Sequence, residues 1–199
     1  MSERRPAIAK SAVATGKGDD GTTGLLYGGR IAKDDARTEA FGTVDEAVAA
    51  LGVARAELAQ SGLHDLAASV LRWQRELFVV AAELASKPTA RERLADGVTR
   101  VSEGMLDGVE SELSAYEARM TMPREFVVPG ETRASAALEV ARAVLRRAER
   151  RIVTLDRAGE HGSEWLPAYV NRLADLLWVL ARVAEQAEHA APTPSRPNK

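Results

Sequence analysis

Cysteine is absent from all 199 residues, which excludes a disulfide framework and any thiolate metal site and fits a reducing compartment. Histidine is nearly absent: His64, His161 and His189 are scattered, with no H-E-x-x-H or comparable ligand spacing, so no transition-metal centre built from side chains is expected. No apolar run approaches a membrane span, and Met1 to Ala14 lacks the apolar core of a secretory signal. A cytoplasmic protein is expected, with an organellar transit peptide carried by Arg4, Arg5 and Lys10 as the second reading. A strong excess of charge of one sign is missing too. The net charge of −2 gives no general reason to bind nucleic acid or an anionic membrane, so any cationic site must be local. With 45% apolar and 28% charged residues, the composition is that of one globular domain.

Glycine, scarce in the helical stretches, is concentrated in Thr15-Gly-Lys-Gly-Asp-Asp-Gly-Thr-Thr-Gly24, with Lys33 nine residues further on. Gly lets an anion approach backbone N–H groups, while Thr and Lys add donors and positive charge. The composition suits a phosphate cradle and equally an ordinary Gly/Asp turn. It is not a Walker A loop, because G-x-x-x-x-G-K-[ST] is absent and no apolar strand precedes it. From Met1 to about Ala40 no periodic apolar stripe emerges, which predicts a long loop or a loop with a short hairpin.

Helical periodicity begins after Gly42. Thr43 with Glu46 reads as a capping box, opening a first helix that runs to about Gln60. Leu66, Val70, Trp73, Leu77, Val80 and Leu84 mark a second helix, ending at Lys87-Pro88, and Val101 to Leu113 a third, ending before Met122-Pro123. Leu138, Ala141, Val144, Leu145, Ala148, Ile152 and Leu155 line the fourth, from Thr132 to Arg157. A last helix, capped by Ser163, runs from Trp165 to about Glu188. The organisation expected is all-α, a five-helix bundle over 15–188, with a flexible N-terminus over 1–14 and a disordered tail over 189–199.

Two polar constellations stand out. Arg142, Arg146 and Arg150 recur every four residues, with Arg147 and Arg151 on the adjacent line and Glu149 between them. Such a stripe is either a solvated helix face or a site for a phosphate or an acidic partner, and Arg is the residue suited to bidentate phosphate contacts. Asp34-Asp35 and Asp45-Glu46 are candidate acidic partners, within the chain or across a subunit contact. Asn171 and Asp175 share a face of the last helix, as a satisfied polar pair or as hydrogen-bonding groups for a ligand.

Together with Lys33-Asp-Asp35, Phe41-Gly-Thr-Val-Asp-Glu46, Phe126-Val-Val-Pro-Gly130, Arg146-Arg-Ala-Glu-Arg-Arg151 and Tyr169-Val-Asn-Arg-Leu-Ala-Asp175, the glycine-rich segment resembles the PduO-type ATP:cob(I)alamin adenosyltransferases. The resemblance implies a cobalamin adenosyltransferase-like five-helix bundle that assembles as a homotrimer with active sites between subunits. It implies transfer of the 5′-deoxyadenosyl group of ATP to Co(I) of a reduced corrinoid, with release of triphosphate and with Mg²⁺ as cofactor. Thr15, Gly16, Lys17, Gly18, Thr23, Gly24 and Lys33 then hold the triphosphate. Arg146, Arg147, Glu149, Arg150 and Asn171 complete the nucleotide site. Asp45 and Arg142 resemble the family's intersubunit ion pair, and Phe126 the aromatic that displaces the corrinoid's lower axial ligand. Glu131, where a second Gly is common, and Trp178, where Phe is common, depart from the pattern. A corrinoid reductase and an adenosylcobalamin-dependent mutase are the implied partners. The alternative is a non-catalytic carrier or sensor of the same fold that binds nucleotide or adenosylcobalamin.

Overall fold

The longest helices owe their positions to two matching apolar stripes. In α1 (Ala36–Gln60), Ala40, Val44, Ala47, Leu51, Ala54 and Leu58 are wholly buried. In α4 (Arg133–Arg157), Ala134, Leu138, Ala141, Leu145, Ala148, Ile152 and Leu155 are buried. Both runs alternate steps of four and three, the heptad spacing of helices packed side by side, and small residues alternate with large ones so that the backbones approach closely. The α1–α4 contact is the most extensive in the molecule. α2 (His64–Leu84) lies against α1, α5 (Trp165–Ala187) against α4, and α3 (Glu103–Glu117) against α5. Trp73, Tyr169, Leu173 and Leu176 fill the core between them, all fully buried.

This computed structural model describes residues 11–160 and 162–196. Most of the N-terminal stretch expected to be flexible, and His161, lie outside the described residues. Short antiparallel strands complete the fold. β1 (Thr22–Gly24) pairs with β2 (Arg30–Ala32) ahead of α1, and β3 (Val127–Val128) pairs with β4 (Thr193–Pro194). The second pair involves the tail for which disorder was expected over 189–199. Among the described residues no helix is long and apolar enough to cross a membrane.

Two helix starts differ from expectation. α1 begins seven residues before Thr43: the Asp35 carboxylate accepts from the Arg37 N–H at 2.8 Å and supplies the cap. Thr43 sits inside the helix, where its hydroxyl donates to the Glu39 carbonyl one turn back at 2.7 Å, so its resemblance to a cap is incidental. Ser163 does not cap α5 either. Its N–H and hydroxyl turn to the Glu83 carboxylate, and Glu164 flanks the helix without a side-chain cap. Thr132 does cap α4, in a reciprocal box with Ser135.

Buried charges tie these elements together. Arg37, 6% exposed, donates to the Leu84, Ser86 and Glu160 carbonyls and to the Glu160 carboxylate, joining the start of α1 to the end of α2 and the α4–α5 turn. Glu83, 2% exposed, accepts from the N–H groups of Val101 and Ser163, and so fixes the entries to α3 and α5. Gly162 lies directly against it, where a methyl group would collide with the carboxylate.

Burial raises the Glu83 carboxyl above its ordinary 4.5, against the lowering effect of the two N–H groups. A raised native value means that the native state holds its proton longer than the unfolded one, so this group's contribution is full below pH 4.5 and is lost as pH rises through the native value. In urea titrations, Glu83→Ala is expected to cost about 1–3 kcal/mol, because the buried N–H groups of Val101 and Ser163 lose their acceptor. The gap between wild type and variant is expected to be wider at pH 4 than at pH 7.

Candidate functional site

The glycine-rich segment folds as a tight loop clipped to the β1–β2 hairpin. Gly16 and Gly21 take φ of 64° and 78°, a region that disfavours any side chain. The Gly18 N–H is followed by close packing: a Cβ there would lie 3.1 Å from Lys33 Nζ and 3.2 Å from the Thr22 carbonyl oxygen. Lys33 therefore folds back over the loop, and its own N–H donates to the Gly21 carbonyl at 2.9 Å. Thr15, Lys17, Gly24 and Lys33 are exposed, whereas Gly16, Gly18 and Thr23 are half-buried.

Arg30 holds this loop in shape. Its guanidinium donates to Thr22 Oγ1 at 2.8 Å, to the Thr22 carbonyl at 3.2 Å and to the Lys17 carbonyl. Asp20 accepts from the Thr22 N–H at 2.9 Å and its hydroxyl at 2.7 Å, and these bonds hold its carboxyl below the usual range. The hairpin is anchored in turn by the Leu26 N–H, which donates to the Ala85 carbonyl at the end of α2. Neither anchor was foreseen from the sequence. Arg30 stands outside the glycine run, and only the strand register brings it opposite Gly24.

On α4 the two lines of arginine have separate fates. Arg147 pairs with Glu46 of α1, and Arg151 with Glu39 at 3.1 Å. Of the candidate acidic partners, Glu46 is thus used within the chain, Asp35 caps α1, and Asp45 lies exposed beside Glu46. Arg142, on the other line, donates to Glu139 at 2.6 Å. Glu139 also faces the buried Arg182 at 3.4 Å, which in turn donates to Glu185 at 2.7 Å. Arg146 and Arg150 are exposed and make no ion pair among the described residues; Arg150 donates only to the Arg146 carbonyl, at 2.9 Å. Asn171 and Glu149 do come together, the amide donating at 2.8 Å. Asp175 instead accepts from Arg172 at 2.8 Å.

Arg142 and Arg146 open onto a cleft of about 780 Å³ whose other walls include Phe126, Pro129, Glu139, Trp178 and Arg196. Phe126 is 88% exposed, a large apolar side chain with almost no cover. A second hollow of about 340 Å³, between α3, α4 and α5, shares Arg142, Arg146 and Trp178 with the first. An aromatic standing free over a guanidinium-lined cleft suits a large planar ligand that carries or meets negative charge.

The predicted residues therefore fall into two groups. The loop with Lys33 leads into α1, whose first turn carries the Glu39 that meets Arg151 near the end of α4; Arg142 lies about 14 Å further back along α4, at 1.5 Å per residue, in the cleft it shares with Phe126. Among the described residues no hydrogen bond or ion pair joins the loop to Arg142, Arg146 or Arg150. No group of three or more His, Cys, Asp or Glu among the described residues is placed to hold a metal ion. Arg30→Ala is expected to lower the local opening free energy of the loop by about 1.5–3 kcal/mol, the worth of bonds to a charged donor. Amide hydrogen exchange checks this: faster exchange at Gly21 and Lys33, with the melting temperature of the helices unchanged.

The geometry has counterparts. The sequence model described as cobalamin adenosyltransferase matches residues 13–184. A corrinoid adenosyltransferase of Citrobacter freundii is 40% identical over 173 residues, spanning 87% of this chain and 94% of that one. One of Mycobacterium bovis is 42% identical over 180 residues, spanning 89% and 91%. Among solved structures, a Phe-to-His variant of a PduO-type ATP:corrinoid adenosyltransferase from Lactobacillus reuteri, complexed with cobalamin and ATP, superposes with a TM-score of 0.84. It is 30% identical and covers 94% of this chain and 98% of its own. A tight glycine-rich loop, two arginines without an ion pair among the described residues and an exposed aromatic thus occur together in a chain that belongs to the cobalamin adenosyltransferase family.

Proposed function

We propose that this chain transfers the 5′-deoxyadenosyl group of ATP to the Co(I) centre of a reduced corrinoid, forming adenosylcobalamin and releasing triphosphate. The observation that carries the reading is the cleft in which Phe126 stands free above Arg142 and Arg146, on the line of α4 where Arg146 and Arg150 make no ion pair among the described residues. The relatives named corrinoid adenosyltransferase, and the neighbour bound to cobalamin and ATP, support it.

Co(I) is itself the nucleophile. Its electron pair attacks C5′ of the ribose, the C5′–O bond breaks, and the bonding pair leaves with the triphosphate. No Ser, Cys or His nucleophile is required, so the protein's part is to position the two substrates and to stabilise charge. Negative charge grows on the leaving group, which Lys33, Lys17 and the N–H groups of the Gly16–Gly24 loop receive at one end and Arg146 and Arg150 at the other. Glu149 and Asn171, already bonded to each other, present an acceptor and a donor for the nucleoside. Phe126 excludes the corrinoid's lower axial ligand, which eases reduction of Co(II) to Co(I).

The donor set fits Mg²⁺ brought in by the nucleotide rather than held by the chain. Asp20 is committed to Thr22 and Arg30, and Mg²⁺ commonly keeps few protein ligands when phosphates supply the rest. Bound there, the ion would neutralise phosphate charge.

A five-helix bundle assembled as a homotrimer would account for the separation of the loop from Arg142 and Phe126 within one protomer: the loop of one copy would meet the Arg146 face of the next, with Asp45 reaching Arg142. A cytoplasmic setting, supplied with electrons by a corrinoid reductase and delivering product to a mutase, belongs to the same reading.

The test supplies ATP, Mg²⁺ and chemically reduced cob(I)alamin without oxygen and follows the absorbance of the Co–C bond. Adenosylcobalamin is expected; its absence with folded protein contradicts the proposal. Arg146→Ala is expected to lower turnover by about 100-fold or more while the melting temperature holds. Phe126→Ala is expected to impair the reaction begun from Co(II) far more than the one begun from Co(I), and equal losses would count against its role.

A further inference from the structure

Phe126 has no core packing to hold it, yet the proposed chemistry needs it at a fixed height over the cleft. Two clasps from the far end of the chain hold its segment. The first is at Gln186 in the last turn of α5: its side-chain amide donates to the Thr121 carbonyl at 3.2 Å and its oxygen accepts from the Thr121 N–H at 3.3 Å. The second lies beyond α5. The Ala190 N–H donates to the Glu185 carbonyl, and His189 adopts a φ of 58°, a left-handed turn that sends the chain back across the bundle end. Thr193–Pro194 then pair with Val127–Val128, and the Ser195 N–H donates to the carbonyl of Phe126 itself at 2.7 Å. Ser195 and Arg196 line the same cleft as Phe126, Arg142 and Arg146.

We infer that Thr193–Arg196, with Gln186, form a strap whose task is to position Phe126, and that the strap governs how the enzyme handles Co(II) rather than how it binds ATP. This rests on the adenosyl-transfer reading. The physical case is one of entropy. The segment from Pro123 to Gly130 has no helix and only two strand residues, so without a partner its backbone would sample many conformations. A two-residue ladder is weak in isolation. The strap compensates because Pro192 and Pro194 restrict it to extended conformations before it docks, which reduces the freedom lost on pairing. Pro194 also suits an outer strand, since it has no N–H to leave unmet. Among the described residues no hydrogen bond or ion pair joins the strap to the glycine-rich loop, so loss of the strap is expected to leave the triphosphate end intact. Gln186 and Ser195 are positioning residues, acting through the backbone on either side of Phe126.

Two variants test the assignment beside the full chain: Gln186→Leu, which opens the clasp at Thr121 outside the cleft, and a truncation after Ala191, which removes the strap together with the Ser195 and Arg196 walls of the cleft. Each is assayed from chemically reduced cob(I)alamin and from cob(II)alamin with a reductant, together with the KM for ATP and the melting temperature. The strap predicts a loss of about tenfold, the worth of one or two hydrogen bonds, in the assay from Co(II). In Gln186→Leu the rate from Co(I), the KM for ATP and the melting temperature are expected to stay within about twofold or a few degrees, and in the truncated chain the loss from Co(II) is expected to exceed the loss from Co(I). It also predicts faster amide exchange at Val128 in the truncated chain. Equal losses in the two assays, or no loss in either with an active full chain, would overturn the positioning role. A full chain that makes no adenosylcobalamin from either start would instead overturn the adenosyl-transfer reading beneath it.

Discussion

Five arginines lie within ten residues of α4, and the arrangement of the site depends on which of them find acids. The heptad stripes of α1 and α4 set the register between these helices, and that register brings Glu46 to Arg147 and Glu39 to Arg151. Exposed pairs of this kind contribute about 0–1 kcal/mol each, too little to choose the packing. The buried Ala, Val and Leu positions choose it, and the ion pairs follow. Their consequence is electrostatic: one line of arginine is neutralised against α1, and the other, Arg146 and Arg150, is left with its charge facing outward. A polyanion answers that remainder better than water does.

The helices were legible because their apolar residues repeat at the spacing their burial demands. The stripe on α4 was read almost whole, with Val144 half-buried and Ala134 added to it, and the start at Thr132 was read without the cap that Thr132 supplies. The start of α1 was misread because Thr43 and Glu46 carry a capping signature inside a helix, where the Thr hydroxyl had another acceptor one turn back. Ser163 misled for a related reason: its polar groups were claimed by a buried carboxylate eighty residues away in sequence. Arg37, Glu83 and Arg30 left no local signal at all. Each serves backbone groups of distant segments, and the sequence does not show which backbone groups a long side chain will reach. The tail reads as a disordered end by its prolines, and those same prolines suit it to lie extended beside β3.

The candidate site was legible in its chemistry and not in its assembly. Glycine, threonine and lysine near the N-terminus and arginine on α4 both announce phosphate, but they stand at different places along the bundle. Within one protomer the loop is shaped by Arg30 and Asp20, and the cleft by Phe126, Trp178 and Arg142; neither half reaches the other. In the proposed reading a second copy supplies the other half of the grip on the triphosphate, and Asp45, exposed on α1 beside the paired Glu46, would take part in that contact.

Mixing of two inactive chains tests that shared site most directly. Lys33→Ala removes a charge from the loop half and Arg146→Ala removes one from the helix half, each expected to be inactive alone. Co-assembled in equal amounts, loops and helices drawn at random would restore about a quarter of the sites, those joining an intact loop to an intact helix from different copies. Recovery of adenosylcobalamin formation to about that fraction is the expected result. A mixture that stays inactive, although both chains fold and enter the same oligomer, would contradict a site completed between copies.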